Sequence, residues 1–265
     1  MFEHVVVGQY LPGHSFLHRM DARAKLLSVF LFVCTVFMVD TWFAYGALCS
    51  TAAAAFIISG VSLRYMRKGM FPVFLLVLFT FLLHALFTRE GEAWISVWGF
   101  TLYSGGVEQG LFIALRLLML VFIASLLTLT TNPMDLTDAL EQLFRPFQRF
   151  GLPARDIAMM MSIAIRFIPT LLQETEKIVK AQMSRGASFH QGPLKKRAQA
   201  FTALLVPLFM RAFKRAEDLA LAMEARGYNS GAGRTKLRQL VWGWRDTTAC
   251  LFTAALGVFL IVFGK

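Results

Sequence analysis

The chain has 265 residues, 57% of them hydrophobic and only 16% charged, with 26 phenylalanines and a mean hydropathy of +0.58. Soluble domains carry about 25% charged residues, so this composition excludes an ordinary soluble enzyme and indicates an integral membrane protein. The net charge of +11 is better explained by basic segments beside membrane spans than by nucleic acid, for which no reader motif is present.

In chain order, four apolar stretches come first, at about 24–39, 42–61, 70–87 and 109–131. They approach or reach the ~20 residues that cross ~30 Å of hydrocarbon. Asp40 and Thr41 alone separate the first two, which predicts a tight hairpin. A last apolar run covers roughly 241–263. No segment resembles a cleaved signal peptide. Cys34, Cys49 and Cys250 lie within apolar runs without metal-ligand spacing, so they read as small packing residues and no metal site is expected.

Loop charge predicts the orientation. Arg19, Arg23 and Lys25 precede the first span, and Arg64, Arg67 and Lys68 follow the second, whereas the 88–108 loop holds Arg89 with Glu90, Glu92 and Glu108. Basic loops stay in the cytoplasm, so the N-terminus is expected inside. The domains read as four N-terminal spans (1–131), a cytoplasmic block (132–240) and one C-terminal span (241–265). That block holds 17 Lys and Arg against 9 Asp and Glu, which is +8 of the +11.

Within the block, Asn132-Pro133 is a helix start, with a capping side chain followed by proline at the first helical position. Leu136, Ala139, Leu140, Leu143, Phe144 and Phe147 then repeat at helical spacing, and Gly151-Leu152-Pro153 ends that helix. Two longer helices are predicted at about 154–185 and 195–226. Their apolar parts, Ile157–Leu172 and Phe201–Phe213, are short and broken by Arg166, Pro169, Pro207 and Arg211. Runs of this length more often lie at an interface than cross a bilayer. Five spans are therefore expected, with seven as the alternative.

Both long helices finish alike, on Ser184-Arg185-Gly186 and Ala225-Arg226-Gly227. A cation in the last turn and a glycine just beyond it is common helix punctuation. More than the cap recurs, however. Each arginine has Glu nine residues earlier (Glu176, Glu217) and Ala four residues earlier (Ala181, Ala222), which would leave the guanidinium uncovered. An uncovered arginine fork suits a carboxylate-lined groove. Capping and docking both stand on the residues alone.

The order of these features resembles the transmembrane T component of energy-coupling-factor transporters, a class of ABC importers with two Ala-Arg-Gly motifs at the ends of coupling helices. Gly8-Gln9-Tyr10 with Ser15, Asp21-Ala22-Arg23-Ala24-Lys25-Leu26, Arg166-Phe167-Ile168-Pro169 and the Gly227–Arg234 glycine-rich turn are also similar. Two departures occur: Ser184 stands where Ala is usual, and Ala22 where Pro is frequent.

The resemblance implies an all-α integral membrane protein of about five spans plus cytoplasmic amphipathic coupling helices, placed in the cell membrane. It implies two ABC ATPase partners, one or more small membrane S components that hold the substrate, and no cofactor. Ser184, Arg185, Gly186, Ala225, Arg226 and Gly227 would engage the ATPases. Met159, Met160, Met161, Pro169 and Pro207 are the candidate S-component surface. The opening motif resembles a T component shared among vitamin carriers more than one dedicated to cobalt, nickel or biotin.

No phosphate loop, HExxH or GxSxG motif is present, so ATP hydrolysis is not expected of this chain. Arg116 and His84 lie inside spans, and an intramembrane charge is by default a functional candidate. They support the different-class alternatives, a membrane scaffold or an intramembrane enzyme; the plainer readings are snorkelling to the outer surface or hydrogen bonding within the bundle for Arg116, and a packed, hydrogen-bonded histidine for His84. Gly46, Ser50 and Ala54 form a small-residue stripe that allows close helix approach, within the protein or to a partner.

Overall fold

The computed structural model describes residues 10–97, 100–146, 154–187, 193–228 and 241–263. Gly8-Gln9, the Gly151-Leu152-Pro153 break and residues 229–234 of the glycine-rich turn lie outside the described residues. The elements are α1 (Phe16–Arg19), α2 (Ala22–Met38), α3 (Trp42–Ser59), α4 (Leu63–Phe87), β1 (Ala93–Val97), β2 (Phe100–Tyr103), α5 (Ser104–Thr130), α6 (Pro133–Phe144), α7 (Ala154–Ser184), α8 (Leu194–Ala225) and α9 (Trp244–Phe263). They fall into two units, residues 8–143 with 240–265, and a second built on 144–239. The helix α6, grouped by sequence with the polar block, falls in the first.

The protein is an all-α integral membrane protein. In the first unit α2, α3, α4, α5 and α9 coincide with the five apolar stretches. Helices α3, α5 and α9 have 18, 27 and 20 residues and are long and apolar enough to cross a bilayer. By length and composition α7 also qualifies over Asp156–Ser184, although its apolar residues gather on one face.

Two differences from the sequence reading concern the polar connections. Arg64, Arg67 and Lys68 belong to the first turns of α4, not to a loop, because α3 ends at Gly60 in the left-handed conformation (φ 65°) and the helix-forming run after Ser62 starts a new helix at once. The 88–108 connection folds as an antiparallel hairpin of β1 and β2, with Val97 opposite Phe100 and Ile95 opposite Leu102.

The core of this unit is built from Val36, Tyr45, Leu48, Met119, Leu126 and Leu260, on α2, α3, α5 and α9. Its closest seam lies away from the small-residue stripe of α3. Gly46, Ser50 and Ala54 are exposed, and a methyl group at Gly46 would meet nothing within 4 Å. At Gly106 it would come within 2.7 Å of the Thr88 carbonyl oxygen, and at Gly110 within 3.2 Å of the Phe81 oxygen. Missing side chains on α5 let its backbone rest against α4, the usual device where lipid supplies no hydrophobic drive for helix pairing.

Arg116 and His84 both have hydrogen-bond partners, and Arg116 reaches an exposed carboxylate at the end of the bundle. The Arg116 guanidinium donates to Tyr45 Oη at 3.2 Å and to Asp40 Oδ1 at 2.8 Å, lying over the Phe37 ring. It joins α5 to the α2–α3 turn. The His84 ring bonds the Thr80 carbonyl at 2.9 Å. Cys34 and Cys250 are partly buried, while Cys49 is exposed on α3.

The Asp-Ala-Arg-Ala-Lys segment forms a polar knot at one end of the bundle. Asp21 caps α2 by accepting from the Arg23 amide at 2.9 Å, and its carboxylate also holds the Arg23 guanidinium. Arg23 reaches on to Gln142 of α6 at 2.6 Å. The Lys25 ammonium donates to the Thr130 carbonyl and to Thr131 Oγ1 at the end of α5. Buried Asp246 accepts from the Asp21 amide at 2.9 Å and the Gly243 amide at 2.8 Å. Burial pushes the Asp21 carboxyl up, but the Arg23 hydrogen bonds and the nearby cations outweigh it and hold it below the ordinary carboxylate value.

Candidate functional site

The second unit is organised by α7 and α8. Four contacts set their register. The Tyr228 hydroxyl donates to Met159 Sδ at 2.8 Å, and Arg215 lies over the Phe167 ring at 5.7 Å. Arg215 also pairs with Glu174, and Gln182 Nε2 donates to the Ala203 carbonyl at 3.2 Å. Advancing along α7 from Met159 to Gln182 retreats along α8 from Tyr228 to Ala203, so the two helices are antiparallel.

The helix-breaking prolines have a local use here. Proline has no N–H to donate to the carbonyl four residues back. Pro207 therefore frees the Ala203 oxygen, the atom that accepts from Gln182. Sequence had singled out Pro207 for a partner; the structure gives it a role within the pair.

Both helices end in the same hydrogen-bonded cap. At the end of α7 the Gly186 amide donates to Met183 O at 3.0 Å and the Ala187 amide to Gln182 O at 3.0 Å. At the end of α8 the Gly227 amide donates to Glu224 O at 2.8 Å and the Tyr228 amide to Met223 O at 2.9 Å. Both glycines are left-handed, with φ of 86° and 70°, and a methyl group at either would meet nothing within 4 Å. Glycine is thus required by backbone conformation alone.

Capping accounts for the glycines and leaves the arginines unexplained. Arg185 and Arg226 are exposed, and neither has an ion pair among the described residues. Ala181 and Ala222 below them are exposed as well. Ser184 turns its hydroxyl back to the Lys180 carbonyl at 3.1 Å, so it covers its neighbour no more than alanine would. Exposed Met183 and Leu221 give the tips an apolar shoulder. The recurring glutamates diverge: Glu176 pairs with Lys180 on its own helix at 2.8 Å, whereas Glu217 has no ion partner among the described residues.

The candidate S-component surface is split. Met160, Met161 and Pro169 are exposed, whereas Met159 is half-buried against Tyr228 and Pro207 is partly covered. A longer apolar face runs along α8 through Phe201, Leu205, Phe209 and Phe213, all exposed and four residues apart. That spacing was the available signal, and the two methionines form only a small part of the exposed apolar surface.

These features define a class: a multi-span helical membrane protein that presents paired, capped arginines on an antiparallel helix pair. The profile of the cobalt transport protein family, CbiQ, matches residues 13–237. The chain is 48% identical over 260 residues to the energy-coupling factor transporter transmembrane protein EcfT of Bacillus subtilis, covering 98% of each chain. It is 48% identical over 263 residues to EcfT of Brevibacillus brevis, covering 99% of this chain and 97% of the other. Identity to EcfT of Thermosediminibacter oceani is 45% over 254 residues, with 96% of each covered. The chain belongs to this family and is the T component of an energy-coupling-factor transporter, a transport subunit rather than an enzyme.

Proposed function

We propose that this subunit couples two ABC ATPases to a small substrate-binding S component, one ATPase on Arg185 and the other on Arg226. ATP is hydrolysed in those partners. The observation that carries the reading is the placement of two exposed, identically capped arginines, without ion pairs among the described residues, at opposite ends of an antiparallel pair. Eleven residues of helix lie between the Glu174–Arg215 contact and each tip, so the tips are on the order of 30 Å apart at 1.5 Å per residue. That separation suits two grooves on two subunits better than one pocket. An exposed guanidinium with no ion pair among the described residues is matched to a carboxylate-lined groove.

Residues 132–240 are read as the cytoplasmic coupling region between four N-terminal spans and one C-terminal span of the cell membrane. The cluster of Arg19, Arg23 and Lys25 at one bundle end supports a cytoplasmic N-terminus. The exposed apolar faces of α7 and α8, including Met160 and Met161, would carry ATPase motion to the S component. A subunit shared among vitamin carriers is the favoured form. The cobalt description of the family profile supports a dedicated metal transporter as the second reading.

Arg185→Ala and Arg226→Ala test the coupling role. Each variant should insert and fold normally yet lose ATPase co-purification and substrate uptake. A double variant that retains full uptake with intact assembly would sink the reading. Counting the S components that co-purify from native membranes separates a shared subunit from a dedicated one.

A further inference from the structure

The first unit has an apolar groove of about 560 Å³ on its flank, walled by α1, α2, α3, α5 and α9. Its lining includes Phe16, Phe32, Ala54, Leu127, Phe252 and Leu256. Along α2 it runs from Lys25 to Phe32 and along α9 from Thr248 to Leu256, on the order of 10–12 Å at 1.5 Å per residue. It begins at the basic end of the bundle and stops well short of the ~30 Å needed to cross both leaflets.

That length argues about the occupant. A helix that spans the bilayer would need a groove along the whole bundle, and a single helical turn about 10 Å across already takes roughly 400 Å³. A flexible hydrocarbon chain fits a groove confined to one leaflet.

The charge at the open end completes the match. Arg245 is exposed, with its guanidinium 5.9 Å from the centre of the Phe16 ring that lines the groove. Arg19 is exposed at the end of α1. Lys25 lines the neck of the groove, and its ammonium uses two donors on Thr130 and Thr131. Among the described residues no carboxylate lies within 4.0 Å of the charged groups of Arg19, Lys25 or Arg245. Lys25 is buried among Asp21, Asp135 and Asp246, which leaves Arg19 and Arg245 as the exposed cations with no ion pair among the described residues. Two such cations, set where spans meet the interface, favour a lipid phosphate.

We propose that this groove is a binding site for one anionic phospholipid, with an acyl chain between α2, α3 and α9 and its headgroup on Arg245 and Arg19. The site depends only on the basic end of the bundle and is independent of the coupling role of Arg185 and Arg226.

The test is photolabelling of the full chain in bilayers with phosphatidylglycerol or phosphatidylcholine bearing a diazirine on one acyl chain, with labelled peptides mapped by mass spectrometry. Phosphatidylglycerol should label peptides containing Phe32, Leu127 and Phe252 in preference to phosphatidylcholine. Arg245→Gln should lower that preference about fivefold, the effect of one basic residue at an anionic surface. Ala54→Trp, which fills the groove from an exposed position, should abolish the labelling while leaving the thermal unfolding midpoint unchanged. Equal labelling by both lipids, label spread evenly over the exposed face of α4, or labelling unaffected by Ala54→Trp would overturn the proposal. So would a photocrosslinker at Phe252 that captures a protein helix in native membranes.

Discussion

Glu174 of α7 and Arg215 of α8 pair with each other, and each stands eleven residues before the exposed arginine that ends its own helix. The contact therefore sits midway between Arg185 and Arg226, like a pin through two crossed levers. Glu174 Oε1 takes the Arg215 guanidinium, while its Oε2 is buried without a hydrogen-bond partner among the described residues.

Reversing one member of that pair should uncouple the tips. We expect Glu174→Arg or Arg215→Glu to destabilise the α7–α8 contact by about 1–2 kcal/mol and to reduce uptake while ATPase binding persists. The double reversal should recover much of the uptake. Absence of recovery, with both singles impaired, would show that the residues act separately.

The glycines can be tested apart from the arginines. Gly186→Ala or Gly227→Ala places a side chain in a left-handed conformation that costs about 1–2 kcal/mol, so the last turn should open about 5–30 times more often. Hydrogen exchange in peptides covering 183–187 or 223–228 reads this directly. Asparagine, which tolerates the conformation better, should be milder. Unchanged exchange in the alanine variants would contradict the cap.

Asp246 joins the start of α9 to the start of α2. Asp246→Ala leaves the Asp21 and Gly243 amides without their acceptor, a loss of roughly 2–4 kcal/mol. Asp246→Asn keeps one acceptor oxygen and should cost less. Thermal unfolding of the detergent-solubilised protein should rank the wild type above Asn and Asn above Ala.

His18 provides a pH dependence. Its ring bonds Ser15 Oγ at 2.7 Å and the Leu11 carbonyl at 3.0 Å. Burial lowers its pKa below the ordinary 6.5, against the opposing pull of the Leu11 carbonyl. A neutral ring is thus favoured by folding, a contribution present above 6.5 and lost as pH falls through the lower folded value. Residues 11–20 should lose exchange protection between pH 7 and pH 5 after correction for the intrinsic rate. A His18→Phe variant should show no such change.

Hydropathy and length located α2, α3 and α9 to within a few residues, because partition into hydrocarbon is a local property of each segment, but missed the polar first turns of α4 and the start of α5, which lie outside the apolar runs. The Arg-Gly repeats likewise revealed where α7 and α8 end, since left-handed caps demand glycine at a fixed position. Partnership across helices was not legible. The small-residue stripe visible on α3 is exposed, while Gly106 and Gly110 make the close seam, because a glycine's use depends on what approaches it. Asp246 and Asp21 lie 225 positions apart, and nothing local to either announces the other. The antiparallel register of α7 and α8, which sends Arg185 and Arg226 to opposite ends, was decided by side chains meeting in space. Periodicity shows which face of a helix is apolar, but only tertiary contacts determine which helix covers it and which groups remain free.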